Sequence, residues 1–187
     1  RSRGLGDVYK RQCKWLVMEW DGRESSGIFV GNPIGWLLRN VNSSLALFKD
    51  NGIRSFSKVL IAIRPGRRNK RFIDVADKIC RHFGASLTLL NIVSESDSNQ
   101  KIKRTEKSSS ELISETKSKS IVKIIKSNNP VEAISEESAS YDLLILGTPE
   151  KDNWISVLFG AGEDRFVKKA ACSVLRLTIK CCLLYTS

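Results

Sequence analysis

The sequence predicts an α/β domain at residues 58–180 with a doubly wound, five-stranded parallel sheet. Short apolar runs alternate along the chain with segments of helical periodicity, and this alternation is typical of βαβ units. The runs are apolar throughout, so both faces of each strand are expected to be buried, as in a parallel sheet. Ligands bind such sheets at the carboxyl ends of the strands, where the strand order reverses.

The elements of this domain follow from the runs in order. Strands are predicted at 58–63, 86–93, 121–126, 142–147 and 172–177, and helices at 69–83, 130–138 and 160–170. Gly84 ends the first helix, and Pro130 begins the second. The polar segment 94–120 is predicted to be a loop with one weak helix at 109–117, its residues Leu112 and Ile113 facing inward. Strand 58–63 is expected at the centre of the sheet.

Composition limits the class of protein. The chain has 41% hydrophobic and 27% charged residues, which is ordinary for a globular domain, and no apolar run approaches the ~18 residues of a membrane span. Cys80 and Cys172 lie in apolar settings, where reduced buried thiols are expected, and this indicates a cytoplasmic protein. The net charge of +11 suits an acidic partner, but the scattered cations favour a role in solubility.

The two ends are excluded from the fold. Residues 7–12 and 182–187 can be encoded by reverse complements of one short DNA sequence, which resembles a sequencing-library adapter. We therefore interpret 1–12 and 182–187 as adapter-derived.

An internal repeat lies upstream of the domain. Residues 45–48 match 174–177, and 29–31 match 158–160. Segment 13–49 is therefore interpreted as the last strand–helix–strand of a preceding copy, followed by a linker at 50–57. Because its core would be small and its strand edges unpaired, it is expected to dock on the main domain, through the terminal strand.

A basic loop follows the first strand of the domain. Arg64, Gly66, Arg67 and Arg68 lie between that strand and the next helix. The helix N-terminus and the forked guanidinium donors favour an anion here. The alternative interpretation is a solvated basic loop.

Two stretches carry a family resemblance. Residues 160–175, GAGEDRFVKKAACSVL, and residues 129–134 together with 141–147, NPVEAI and YDLLILG, resemble the universal stress protein family. The resemblance implies a Rossmann-like fold and a non-catalytic binding or regulatory role, with pairing through the last strand in a homodimer or within a tandem chain. It also implies an alternative, since tandem copies resemble the cytosolic tails of amino-acid permeases and cation–proton antiporters.

Members that bind ATP carry Gly-x2-Gly-x9-Gly-Ser/Thr. The matching positions here are Gly147, Glu150, Gly160 and Ala161. Glu150 places a carboxylate near the phosphates, Ala161 lacks the hydroxyl donor, and Arg64 stands where members have an aspartate. We therefore expect weak or no ATP binding. Together with the basic loop, these residues form the candidate ligand site, unless Glu150 pairs with Arg64 and closes it.

Other functional classes have little support. His82, the single histidine, has no accompanying nucleophile, carboxylate or cysteine pattern, so neither an enzyme nor a metal site is expected. The four tryptophans lack the repeated spacing of a stacking platform, and nucleic acid is not an expected partner. The expected partners are an anionic small molecule, a second or tandem copy, and the membrane domain of a transporter in the alternative interpretation.

Overall fold

The computed structural model describes residues 15–20, 43–63, 69–147 and 165–179 of the chain, which contain seven strands and four helices. The strands are β1 (Trp15–Glu19), β2 (Ser44–Lys49), β3 (Lys58–Ala62), β4 (Ser86–Val93), β5 (Ser120–Lys126), β6 (Leu143–Gly147) and β7 (Ser173–Thr178). The helices are α1 (Asn69–Phe83), α2 (Asn99–Ile113), α3 (Pro130–Ser138) and α4 (Arg165–Lys169).

All seven strands form one sheet in the order β1-β2-β7-β6-β3-β4-β5. Every neighbouring pair is parallel except β2 and β7, which are antiparallel. The predicted central place of the strand at 58–63 is confirmed, because β3 lies between β6 and β4. The five strands predicted for the domain are β3 to β7, and β1 and β2 extend the sheet to seven, because β2 pairs along the edge of β7.

Local sequence signals set several element boundaries. Helix α1 begins at Asn69 and ends at Phe83, as predicted, and Gly84 follows it with a φ of 67° that favours glycine. The Asn129 side chain caps α3, which has Pro130 in its first turn. Strand β4 has the predicted bounds, and the other four strands of the domain differ from prediction by one residue at one or both ends.

The bounds predicted for the helix in segment 94–120 were wrong, whereas the inward position of Leu112 and Ile113 is confirmed. Helix α2 begins at Asn99, ten residues before the predicted weak helix, and Ser98 caps it by accepting a hydrogen bond from the backbone of Lys101. Its inward positions include Ile102, Thr105 and Ser109. Because two of these three side chains are polar, the spacing of apolar residues alone did not indicate a helix here.

Helices cover the sheet on both faces and divide the core into two clusters. Helices α3 and α4 lie against the cluster that contains Leu60, Leu90 and Leu144. Helix α1 lies against the other cluster, with Phe72, Ile73, Ala76 and Cys80 packed on Val59, Ile61, Leu89 and Ile145, and α2 adds Leu112 and Ile113. This three-layer arrangement explains why the central strands are apolar on both faces.

The upstream segment joins the main sheet. Of the two strands and one helix predicted in 13–49, the structure describes the strands, whereas the helix near residues 36–40 lies outside the described residues. Strand β2 pairs with β7, the terminal strand, as expected for its docking. The Lys49 ammonium donates to the Val167 carbonyl at 2.9 Å, which adds a contact between β2 and α4.

Two cysteines of the described chain are free and buried, Cys80 and Cys172. This confirms the predicted reduced thiols. Burial raises the pKa of Cys80 to about 12 and that of Cys172 to about 11, because an apolar environment disfavours the thiolate.

Candidate functional site

The strand order reverses between β3 and β6. From β3 the chain runs through α1 to β4 on one side, whereas β6 and β7 extend the sheet on the other side. Ala62 pairs with Leu146 near the carboxyl ends of these two parallel strands. Ile63 and Gly147 therefore lie at the switch point where sheets of this type hold ligands.

Gly147 is the predicted site residue whose position the structure describes. A Cβ atom built on Gly147 would lie 3.1 Å from Cε2 of Phe72 and 3.2 Å from Cγ2 of Ile63. The absence of a side chain therefore lets the first turn of α1 approach the end of β6. The family resemblance placed this glycine in the candidate ligand site, and the structure adds a packing requirement at the same position.

The other predicted site residues lie outside the described ranges. They are Arg64, Gly66, Arg67, Arg68, Glu150, Gly160 and Ala161. In the sequence they follow Ile63 or Gly147, the two described residues at the switch point. Their side-chain geometry, including the expected pairing of Arg64 with Glu150, remains a prediction.

Helix α1 begins directly after the basic loop. Its 15 residues include no acidic residue in the first turn, so no side-chain carboxylate there opposes an anion at the helix N-terminus. Lys70 forms an ion pair of 2.5 Å with Glu115. Hydrogen bonding to Glu115 raises the pKa of Lys70. Lys70 is therefore engaged with the segment after α2.

A polar network that sequence analysis missed lies at the carboxyl ends of β4 and β5. The Ser94 hydroxyl, after β4, donates to Oδ1 of Asn128, after β5, at 2.8 Å. The Asn128 amide donates to Glu95 at 3.0 Å. Lys101 hydrogen-bonds Asp97 at 2.7 Å and is the main cause of the lowered pKa of that carboxyl. The serine-rich composition of segment 94–98 was the available signal for such a network.

A cavity of about 420 Å³ lies between α1 and α2. Its lining includes four carboxylates, from Asp74, Asp77, Glu111 and Glu115, and one cation, from Lys70. Carboxylates repel anions, so this cavity does not suit the anionic ligand expected from the sequence.

Asp77 of this lining has a structural role. Its Oδ1 accepts hydrogen bonds from the backbones of Lys117 and Ser118 at 3.0 and 2.9 Å and from the Ser118 hydroxyl at 2.8 Å. Its Oδ2 lies 3.1 Å from Nε of Arg81. Desolvation raises the pKa of Asp77, but the hydrogen bonds from Ser118 and Lys117 and the charge of Arg81 outweigh it, so the pKa is lowered. The carboxylate thus fixes α1 to the segment before β5.

Sequence analysis also missed a buried cation in β7. Arg176 is 6% exposed and lies between Leu47 of β2 and Leu146 of β6. The sequence signal was a single cation within the apolar run Ser173–Thr178. Successive residues of a strand face opposite sides of the sheet, and both sides of a central strand are covered, so a cation in such a run is expected to be buried. Arg176 shares its face of the sheet with the cluster under α3 and α4.

Within 15–20, 43–63, 69–147 and 165–179, no three histidine, cysteine, aspartate or glutamate side chains converge as metal ligands. Over the same ranges, none of the helices has the length and apolar character to cross a membrane.

The family of the chain follows from a match to one protein-family model. The family model described as "Universal stress protein family" matches residues 55–177. The chain belongs to the universal stress protein family. The matched region runs from the end of the predicted linker to β7 and includes the switch point. None of the curated protein sequences compared with the chain is significantly similar to it.

Solved structures of universal stress proteins share the fold. One from Archaeoglobus fulgidus superposes with a TM-score of 0.63 at 16% identity, over 87% of this chain and 60% of its own. A second from Archaeoglobus fulgidus, in complex with dAMP, has a TM-score of 0.51 at 13% identity over 67% of this chain and 100% of its own. A universal stress protein in complex with cAMP has a TM-score of 0.55 at 14% identity over 68% and 100%.

These structural likenesses establish the fold of the universal stress protein domain. The chain spans 60% of the length of the first structure, so that structure extends well beyond the matched region.

Proposed function

We propose that this universal stress protein domain is a non-catalytic binding and regulatory module that holds an anionic small molecule at the carboxyl ends of β3 and β6. The observation that carries the proposal is the close packing of Phe72 against Gly147. This contact places the first turn of α1 beside the end of β6. The backbone amides at the start of α1 are then adjacent to the switch point, and residues 64–68 connect the end of β3 with this helix in the sequence.

Charge supports an anion at this position. The loop between β3 and α1 contains Arg64, Arg67 and Arg68 within five residues, and Gly66 permits close backbone approach. Guanidinium groups bind phosphate and carboxylate through two parallel hydrogen bonds. Arg64, Gly66, Arg67 and Arg68 are the residues that we propose contact the ligand from this side.

The segment after β6, which contains Glu150 and Ala161, determines which anion the site accepts. Fold relatives have been solved with dAMP and with cAMP, so an adenine nucleotide is a reasonable first ligand to test. Glu150 and Ala161 oppose a triphosphate, because a carboxylate repels it and the hydroxyl donor of the family motif is missing. We therefore propose weak or absent ATP binding, with monophosphates preferred over triphosphates.

Calorimetry at low salt tests the proposal. AMP, cAMP, magnesium ATP and inorganic phosphate are titrated into the full chain and into the double variant Arg67→Ala/Arg68→Ala. We expect the double variant to lose at least about tenfold in affinity, equivalent to ~1.4 kcal/mol. The matched control is Lys103→Ala/Arg104→Ala, which removes two exposed cations from α2. Equal affinities in the two double variants would contradict the site, and micromolar ATP binding would contradict the preference.

Catalysis and location are part of the same proposal. The absence of turnover is tested by incubating the chain with magnesium ATP and measuring released phosphate.

A reducing, cytoplasmic location is supported by the two buried free thiols, Cys80 and Cys172. The transporter-linked alternative has no specific support among the described contacts, and a longer gene read upstream of residue 13 would distinguish it from a freestanding tandem protein.

A further inference from the structure

Asn51 and Gly52, which follow β2, form the single Asn-Gly pair in the chain. In such a pair the backbone nitrogen of the glycine can attack the side-chain amide of the asparagine, because the glycine has no Cβ to hinder the approach. Asn51 is exposed, so water reaches it. The pair is therefore chemically reactive wherever the local contacts leave its two reacting groups free.

The fold holds both reacting groups in other contacts. Nδ2 of Asn51 donates to the carbonyl oxygen of Cys172 at 2.8 Å and to that of Ala170 at 3.5 Å. The backbone N–H of Gly52 donates to Oδ1 of Asp50 at 2.7 Å, and this hydrogen bond is the main cause of the lowered pKa of Asp50. Attack on the side-chain amide requires these contacts to break, so the docked position of β2 on β7 protects Asn51.

The same side chain contributes to the docking that protects it. Its amide supplies the hydrogen that the Cys172 carbonyl accepts, and the backbone N–H of Asn51 donates to the Ser173 hydroxyl at 3.0 Å. A carboxylate at position 51 has no hydrogen to donate. Its negative oxygens would lie against the carbonyl oxygens of Ala170 and Cys172, where an attraction would be replaced by a repulsion.

We propose that Asn51 is a site of deamidation, and that its conversion to a carboxylate releases β2 from β7. Each local opening of β2 frees the Asn-Gly pair to react, and a converted chain cannot form the original contact again. The modification therefore makes a transient opening permanent. The proposal rests on the contacts of Asn51 and Gly52 and is independent of any ligand at the β3–β6 switch point.

The reaction needs water as its only co-reactant. The backbone nitrogen of Gly52 loses its proton and bonds to Cγ of Asn51, the bond from Cγ to Nδ2 breaks, and ammonia leaves after taking up a proton through the solvent. The product is a five-membered succinimide ring. One water molecule opens this ring at either of its carbonyl groups, which gives aspartate or isoaspartate. Isoaspartate also places a methylene group in the main chain, so it alters the path of the backbone after β2.

The rate of modification tests the protection. The full chain is incubated at mildly alkaline pH in buffer and in urea, and the peptide that contains residues 50–54 is followed by mass spectrometry. We expect conversion of Asn51 in both conditions, at least about tenfold slower in buffer, because only the open fraction of the folded chain reacts. A chain that is not converted at all in buffer, or that is converted equally fast in buffer and in urea, overturns the proposal.

Hydrogen exchange of Asn51→Asp tests the consequence. This variant carries the carboxylate from the start, and exchange of the peptide covering β2 is measured by mass spectrometry. We expect exchange at least about tenfold faster than in the parent, because pairing with β7 protects these amides. Exchange should also be faster than in Asn51→Ala, which removes the donor without adding a charge. Exchange of β2 that equals the parent's would overturn the proposal.

Two comparisons give the result its specificity. Asn99→Asp makes the same chemical change at an exposed residue of α2, and it should leave the exchange of β2 unchanged. Strand β4, which lies away from β2 in the sheet, should exchange in Asn51→Asp as it does in the parent. Equally accelerated exchange of β4 and β2 would mean that the whole chain unfolds rather than that β2 is released, and it would also overturn the proposal.

Discussion

The side-chain amide of Asn51 donates a hydrogen bond to the backbone carbonyl of Cys172 at 2.8 Å, across 121 residues of sequence. The backbone amide of Asn51 also donates to the hydroxyl of Ser173 at 3.0 Å. The segment after β2 is thereby fixed to the segment that leads into β7, beside the antiparallel pairing of these strands. This contact makes the predicted linker part of the folded unit.

We expect Asn51→Ala to lower the free energy of unfolding by about 1–2 kcal/mol, because the buried Cys172 carbonyl loses a hydrogen-bond donor. Urea unfolding of the full chain, followed by circular dichroism, measures the change. Gln100→Ala, an exposed amide on α2, is the control and should stay within ~0.5 kcal/mol of the parent. Equal stability of the two variants would show that Asn51 contributes nothing to the docking of β2.

Gly147→Ala should destabilise the chain by about 1–3 kcal/mol, because its methyl group overpacks the contact with Phe72 and Ile63. The double variant Gly147→Ala/Phe72→Leu should recover part of this loss, since leucine lacks the ring atoms nearest to the new methyl group. The coupling energy from the double-mutant cycle is expected to be ~1 kcal/mol. Strict additivity of the two changes would rule out the close approach of α1 to β6.

Asp77 should make stability depend on pH in the acid range. Its folded-state pKa is lowered, so its contribution is fully present above the unfolded-state pKa of about 3.9 and is lost as the pH falls through the lower folded-state value. Asp77→Asn should cost about 2–3 kcal/mol at neutral pH, because the amide cannot replace the charged acceptor. The deficit relative to the parent should shrink below about pH 4.

Urea midpoints of parent and variant at several pH values between neutrality and the acid range test this expectation. Asp74→Asn is the control, because Asp74 is exposed, and it should show little effect at any pH. A deficit of Asp77→Asn that stays constant with pH would indicate that the ionised form is not what stabilises the segment before β5.

Cys80 and Cys172 should be unreactive in the folded chain. Burial raises their pKa values to about 12 and about 11, and the thiolate is the nucleophile in thiol exchange. With Cys13, Cys181 and Cys182 replaced by serine, reaction with an aromatic disulfide at about pH 8 should be at least about tenfold slower than in urea. Equal rates with and without urea would mean that these thiols are accessible in the folded chain.

The sequence alone determined the elements whose signals are local. Helix α1 and strand β4 have the predicted bounds because a run of β-branched and aliphatic residues, or an apolar stripe ended by Gly84, identifies them without long-range information. Local sequence signals also identified the family and the central place of β3. For α2 they were insufficient, because Ser109 faces inward and hydrogen-bonds the buried Asn91 at 2.9 Å, a partner eight residues before the helix begins.

Only the tertiary structure decided how the parts fit together. The sequence repeat suggested that β1 and β2 correspond to β6 and β7, but the antiparallel pairing of β2 with β7 depends on which strand edges meet in space. The need for a glycine at position 147 likewise follows from the ring of Phe72, which lies 75 residues earlier in the chain. The roles of Asp77 and Asn51 arise in the same way, because each satisfies backbone groups that folding brings to it from distant positions.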